Sequence, residues 1–404
     1  MELANRTMFP VLAFRSMDRR DREFHVVVMR ATLDIGDDGL LHPSREQKPI
    51  AVADEYFGEV NKSSVRSESD LAPFKPGCDV ILNATAHAPG GRPSLGFVVK
   101  VKIHVPARKK EDTGSPILEK RLVVTAPRSW EADRGGRWAL REPVKPITSL
   151  PLRYEYAFGG ECRVNLDDSD GNSVDARFRL TAQQRSRHPD GPDRAPLAHT
   201  VCPCNPVGLG YADEWYLKAK KMRSLPAPQI DSPQDPVAVL GRSYAPQGFG
   251  IITKAWSQRL KLAGTYDDEW LEKRWPYLPE DFDMAYWNGA NPDMQTPHLR
   301  GDEAVTLSNL TPEGKLTFSL PGYFAAVKVR YTDGSTVYFP ARLDTLLIEP
   351  DTMKVLLVWR AVFPTDPEID VVEALSLPQK ETFKRKKIRS AMARGNPLAG
   401  WIPD

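Results

Sequence analysis

The chain is short of most features that would assign it an early class. Four cysteines in 404 residues are far too few for a disulfide scaffold. No apolar run approaches the roughly 18 residues of a membrane span. Met1-Glu2-Leu3-Ala4-Asn5 lacks the basic flank and apolar stretch of a signal peptide. Charge of one sign is missing too, since 55 basic residues face 53 acidic ones for a net charge of +2. A balance of that kind gives no global pull toward nucleic acid or anionic membrane. There is no Gly-x-Ser-x-Gly elbow, no phosphate-binding Gly-x-x-x-x-Gly-Lys-[Ser/Thr] loop and no His-Glu-x-x-His. The expectation is a cytoplasmic protein with no cofactor, and with neither nucleic acid nor membrane as a partner.

Proline is plentiful instead, at 36 residues against 27 glycines, which implies many turns and stiffened connections. Between them lie strands. Val27, Met29, Ala31, Leu33 and Ile35 alternate with Arg30, Thr32 and Asp34, the period of a half-buried strand, and Gly36-Asp37-Asp38-Gly39 supplies a turn. Val99, Val101, Ile103 and Val105 alternate with Lys100, Lys102 and His104 in the same way. Further strands are predicted around 79–87, 121–126 and 152–158. Near the C-terminus, Asp333-Gly334 and Glu349-Pro350-Asp351-Thr352 mark two hairpins.

From about Gly159 to Gly250 the character is loop-rich. One helix is predicted after Asp213, with Trp215, Ala219 and Met222 at helical spacing and Lys220, Lys221 and Arg223 in its last turn. A second is predicted after Thr265, with Thr265 and Asp268 as a capping box and Trp270 and Leu271 on its apolar stripe. A basic helical tail ends in Gly395-Asn396-Pro397. The fold predicted is mainly β: a β-sandwich-like composite body with long Pro/Gly-rich loops and a few short helices. It divides into an N-terminal β region (1–160), a loop-rich centre (161–300), a C-terminal β region completing the body (301–375) and the basic tail (376–404).

Candidate chemistry is thin. His199, Cys202 and Cys204 are suitable zinc ligands, but Cys-x-Cys is tighter than the usual spacing and no second ligand pair follows, so ordinary thiols are expected. The acidic loop at 167–172 fails as a calcium loop, because Leu166 and Arg177 fall where carboxylates would be needed. Asp54, Glu55, Glu68 and Asp70 supply carboxylates for an alternative reading, a β-sandwich hydrolase or carbohydrate-binding module. His87 with Ser64 or Ser69 lacks the context of a nucleophilic triad. Lys384, Arg385, Lys386, Lys387 and Arg389 read as a solvated helix face.

Other motifs are dense in glycine, proline and aromatics without catalytic logic, such as Pro246-Gln247-Gly248-Phe249-Gly250 and Trp287-Asn288-Gly289-Ala290-Asn291-Pro292. Such loops suit a rigid surface that grips a protein, and equally the internal packing of a loop-rich body.

These motifs form an ordered set. It includes Asp54-Glu55-Tyr56-Phe57-Gly58, the stretch from Ser69-Asp70-Leu71 through Pro73-Phe74-Lys75-Pro76-Gly77-Cys78-Asp79, and His87-Ala88-Pro89-Gly90-Gly91. It continues through Leu152-Arg153-Tyr154-Glu155-Tyr156-Ala157-Phe158-Gly159, Asn205-Pro206-Val207-Gly208 and Leu262-Ala263-Gly264-Thr265-Tyr266-Asp267. Leu307-Ser308-Asn309, Arg342-Leu343-Asp344-Thr345 and Val358-Trp359-Arg360 close it. In that order, up to about Val362, the chain resembles a family of bacterial proteins of unknown function encoded in type VI secretion clusters, beside the VgrG spike, PAAR-repeat proteins and toxic effectors. The resemblance implies a non-enzymatic adaptor or chaperone. It would bind an effector or its PAAR carrier in the donor cytoplasm and help load it onto VgrG. It implies no catalytic residues. The family-motif or protein-binding candidates are Asp54, Tyr56, Glu68, Asp70, Lys75, His87, Arg153, Tyr154, Glu155, Phe158, Asn205, Phe249, Tyr266, Trp270, Trp287, Asn288, Asp344, Trp359 and Arg360.

Overall fold

The computed structural model describes residues 1–106, 116–378, 381–393 and 402–403. Its architecture is mainly β, with several sheets, a few short helices and no barrel. Three sheets share one apolar core.

The largest sheet has seven strands. Along it run Val11–Met17, Glu23–Ile35, Lys354–Pro364, Arg342–Glu349, Cys78–Leu82 and Gln295–Thr296, and Leu41–Pro43 pairs with Glu23–Ile35 off this path. All pairings are antiparallel except that of Arg342–Glu349 with Cys78–Leu82. A five-stranded sheet centres on Gly96–His104, flanked by Pro116–Thr125 and Ala304–Ser308. A four-stranded sheet joins Glu2–Asn5 to Ile369–Leu377, Phe324–Tyr331 and Thr336–Pro340. C-terminal strands thus complete sheets begun by N-terminal ones.

The predicted alternation holds on Gly96–His104, where Val99, Val101 and Ile103 are buried and Lys100, Lys102 and His104 are half-buried. Glu23–Ile35 differs. Val27, Met29, Ala31, Leu33 and Ile35 enter the main core, and Phe24, Val26 and Val28 enter a second cluster with Val358. Arg30 and Thr32 on that second face are buried as well. The strand is central in its sheet, and the loop following Pro43 covers its far face. Gln47 exchanges hydrogen bonds with the Thr32 backbone (2.9 and 2.8 Å), and the Lys48 amide donates to the Thr32 hydroxyl (3.0 Å). Buried polar groups are tolerated when partnered in this way.

Other boundaries move. The single strand predicted at 79–87 is two, Cys78–Leu82 and Thr85–His87, which pair with different partners. Segment 152–158 is not a strand. It makes a 3-10 turn at Tyr154–Tyr156 and pairs only at its end, by an isolated Ala157–Ile230 bridge and at Phe158–Gly159, and its side chains are held by Ser64 and Phe57. Helix Glu214–Ala219 begins after Asp213 as predicted, but the Asp213 carboxylate accepts from Thr200, Tyr211 and Trp215 side chains rather than capping. Lys220 is its C-cap, while Lys221, Met222 and Arg223 lie beyond it. Helix Asp268–Lys273 is capped by Asp267, not Thr265, whose hydroxyl donates instead to Asp281 (2.7 Å). Leu271 is 58 % exposed, so the expected apolar stripe does not pack inward. Both C-terminal hairpins form as predicted. The tail is helical over Thr382–Ala393, and Gly395-Asn396-Pro397 lies outside the described residues. No helix among the described residues is long and apolar enough to cross a membrane.

Candidate functional site

The acidic motif residues come together on the far face of the large sheet, each against a cation. Asp70 accepts from Arg30 (2.6 Å) and from the Ala51 amide (2.8 Å). Arg360 reaches both the Asp344 carboxylate and the Asp70 carbonyl (2.8 Å each). Lys75 donates to Asp79 (2.7 Å) and Thr345 (3.0 Å). Asp79 is fully buried and also accepts from the Asn288 amide group (3.1 Å) and from the Gly289 and Ala290 backbone amides (2.9 and 3.1 Å). Burial pushes the Asp79 carboxyl up, but Lys75 and these amides outweigh it and hold it below the usual range. Burial pushes Lys75 down, and Asp79 and Asp344 outweigh that, so it is raised. The pair is fully charged.

Asp54, Glu55 and Glu68 complete the acidic set. Glu68 meets Arg259 (2.5 Å), and Asp54 meets Lys254 (3.2 Å) and the Ser69 amide (2.8 Å). Glu55 is exposed on a two-residue strand. Three of the four carboxylates named for a hydrolase are therefore neutralised by Arg30, Lys254 and Arg259. The sequence reading identified none of these three cations, since no local spacing links residues about 40 to 200 positions apart.

A second knot gathers the Arg153-Tyr154-Glu155 motif. Glu155 accepts from the Ser64 amide (3.0 Å) and hydroxyl, while Arg153 stacks over Phe57 at 4.2 Å. Ser64 is thus held by a carboxylate, and Ser69 donates to the Ala51 carbonyl (3.2 Å). Half-buried His87 sits on its own strand opposite Ser149. The Tyr154 ring lies against Trp256 (5.1 Å) and beneath Gly248, where a methyl group would fall 2.8 Å from the ring. Asn205, fully buried, donates to the Tyr154 and Phe158 carbonyls (2.9 and 3.0 Å). Phe158, Phe249 and Trp359 are buried, Trp359 against Phe9 and Tyr323. Half-buried Tyr56 donates to Asn61 (3.2 Å). Trp287 packs on Phe282 and Tyr286.

His199 does not face the Cys202/Cys204 pair. Its ring completes a directed chain between neighbouring elements. The Asp190 amide donates to His188 Nδ1 (3.2 Å), so His188 Nε2 carries the proton and donates to His199 Nδ1 (3.0 Å). His199 Nε2 then donates to Glu161 (2.8 Å). Arg163, bound to Asp190 (2.6 Å), also faces this group. His188 is neutral in this arrangement. Burial and the neighbouring His199 lower His188 from its ordinary value. A histidine so lowered contributes stability above its unfolded pKa of about 6.5 and loses it as pH falls below that. Thermal midpoints measured from pH 8 to 5 are expected to fall on acidification through this window, and less steeply in His188→Gln. Identical slopes in the two proteins would refute this. The acidic loop at 167–172 is likewise internal, Asp168 and Asp170 both holding Lys220 (3.1 and 3.3 Å).

The surface carries a different feature. Around helix Asp268–Lys273, Tyr266, Leu271, Trp275 and Tyr277 are exposed, Tyr266 by 53 % and Trp275 by 64 %. The group is ordered from within. Tyr266 meets Trp270 edge-on at 4.7 Å, and the Trp270 indole donates to the Tyr277 carbonyl (2.9 Å). Arg274 clamps the segment to Asp21 (2.8 and 2.9 Å) and the Arg19 carbonyl (3.0 Å). Sequence reasoning singled out Tyr266 and Trp270 but passed over Trp275 and Tyr277, although Trp275-Pro276-Tyr277 sets two aromatics about a proline just beyond the predicted helix. On the tail helix, Arg385 and Arg389 lie over Phe324 (5.9 and 5.2 Å), leaving Lys384, Lys386 and Lys387 exposed.

Fold and site together define a β scaffold with its motif charges paired internally and an ordered aromatic group presented outward. Residues 20–360 match the family described as "Uncharacterized protein conserved in bacteria (DUF2169)", and the chain belongs to that family. No curated protein and no solved structure matches it.

Proposed function

We propose that this protein is a non-enzymatic adaptor or chaperone that grips a protein partner through the aromatic face at 266–277. The carrying observation is that four large apolar or aromatic side chains stand in solvent on a segment already ordered by a helix cap, an indole hydrogen bond and an arginine clamp. Tyrosine, tryptophan and arginine dominate binding hot spots, and a pre-ordered segment loses little entropy on docking. The pairing of Asp54, Glu68 and Asp70 with cations favours a scaffold over a hydrolase. The motif resemblance supplies the partner class: a type VI secretion effector or its PAAR-repeat carrier, held in the cytoplasm and passed to the VgrG spike. Binding the folded cargo alone would stabilise it by mass action.

The test is recovery of partners on tagged protein from the native cytosol, with mass spectrometry. Wild type is expected to retain a PAAR-containing effector, with or without VgrG. Joint Tyr266→Ala and Trp275→Ala substitution is expected to weaken retention by about 30-fold or more, the scale of losing a hot spot worth about 2 kcal/mol. Its melting temperature should stay near wild type, since exposed positions usually shift stability by under about 0.5 kcal/mol. Undiminished capture by the double variant would remove this face from the proposal. No secretion partner, with those proteins expressed, would remove the adaptor reading.

A further inference from the structure

The turn Cys202-Pro203-Cys204-Asn205 places two thiols side by side. The Cys202 and Cys204 sulfurs are 3.2 Å apart, within hydrogen-bond reach of each other. Cys202 is buried and Cys204 half-exposed. The turn is anchored on all sides. Asn205 N–H donates to the Cys202 carbonyl (3.2 Å) and Cys202 N–H to Gly160 (2.9 Å). The Pro203 carbonyl accepts from the Ser257 amide (2.9 Å), and the Cys204 carbonyl from the Gln258 side chain (2.9 Å). These bonds fix the turn's backbone, on which the two sulfurs lie side by side. Cys78 and Cys162 differ: each is buried, with a backbone group as its nearest polar partner.

We propose that Cys202 and Cys204 form a reversible dithiol/disulfide site that reacts with low-molecular-weight disulfides. The half-exposed Cys204 is the sulfur an external reagent meets first. Its thiolate attacks one sulfur of the reagent, forming a mixed disulfide and expelling one thiolate, which takes up a proton. The Cys202 sulfur, already 3.2 Å away, loses its proton, attacks Cys204 and expels the second thiol. Two protein S–H groups are oxidised and one reagent disulfide is reduced to two thiols. Closure requires the sulfurs to approach by about 1 Å, to the roughly 2.05 Å of a disulfide bond. Residues two apart on a turn have their α-carbons within the range such a bond accepts.

The shared proton favours this reaction. Cys204 donates to the Cys202 sulfur, and the Cys204 and Asn205 amides point at that same sulfur, so the Cys202 thiol is lowered to about 7 while Cys204 is raised. The Cys202 thiolate is therefore well populated at neutral pH, and it accepts the Cys204 proton across 3.2 Å as Cys204 attacks. Closure is also felt next door, since Asn205 follows Cys204 directly and bonds the Tyr154 and Phe158 carbonyls.

The test uses the full chain with oxidised glutathione at neutral pH, then N-ethylmaleimide and peptide mass spectrometry. The peptide holding both cysteines is expected to become lighter by two hydrogens, to resist the maleimide, and to recover with dithiothreitol. Cys202→Ser is expected to stop at a stable glutathione adduct on Cys204. Cys202→Ala should slow the reaction of Cys204 at pH 7 several-fold, because it removes the neighbouring sulfur that accepts the Cys204 proton. Melting temperatures of both variants check their folding. The wild-type result decides by itself if a variant fails to fold. Persistence of a mixed disulfide in wild type, or a peptide still fully alkylated after oxidant treatment, would overturn the proposal.

Discussion

Asp79→Ala is expected to cost about 3–5 kcal/mol, enough to leave little folded protein under ordinary growth conditions. Among the described residues, the substitution removes the one carboxylate hydrogen-bonded to Lys75, whose ammonium is buried beside Thr345. It also orphans the Gly289 and Ala290 amides and one side-chain amide hydrogen of Asn288. A buried charge without its partner is far more costly than the intact pair is stabilising. Asp79→Asn keeps an acceptor for two of these donors while still removing the countercharge, so its loss should be intermediate. Chemical denaturation of the three proteins gives the ranking, and equal midpoints for wild type and Asp79→Ala would defeat the account. The pH behaviour follows with opposite signs for the two partners. Asp79 is lowered in the fold, so its contribution is present above its unfolded pKa and disappears as acid protonates it. Lys75 is raised, so its contribution is complete below its unfolded pKa and disappears as alkali deprotonates it. The pair should therefore hold from about pH 4 to pH 10.

Gly208→Ala should lower stability by about 3 kcal/mol or more, a large effect for one methyl group. A β-carbon there would lie 2.6 Å from the Ala157 carbonyl oxygen and 2.8 Å from the Gly159 α-carbon, and closer still to the Asn205 amide nitrogen. None of these is the loose end of a flexible side chain. Ala157 accepts from the Leu209 amide (2.8 Å), and Phe158–Gly159 pairs in parallel with Leu209–Gly210. Asn205 is fully buried and committed to two carbonyls. Relief of the clash must break the pairing or the Asn205 bonds. A melting temperature within a degree or so of wild type would show that the loop yields more easily than this packing allows.

These two positions also explain why the motifs in this chain are dense in glycine, asparagine and charge. Most of the motif residues face inward. Asp70, Lys75, Asn205, Asn288, Asp344 and Arg360 tie long loops to the sheet, and glycines let backbones approach where they cross. Tyr266, Leu271, Trp275 and Tyr277 are among the large side chains that stay exposed.

The sequence by itself determined the features that depend on neighbours along the chain. Period-two alternation located Gly96–His104, and turn residues located both C-terminal hairpins. The same local rules placed a short helix after Asp213 and read the chain as mainly β. Only the tertiary structure decided what depends on distant partners. Alternation on Glu23–Ile35 indicated one wet face, yet the loop after Pro43 covers it, so Arg30 and Thr32 are buried. The carboxylates at 54–70 looked free until Arg30, Lys254 and Arg259 met them. Thr265 matched a capping pattern, and Asp281 drew it away. Pairing energy between charges and hydrogen-bonding groups depends on separation in space, whereas periodicity and turn chemistry depend on separation along the chain.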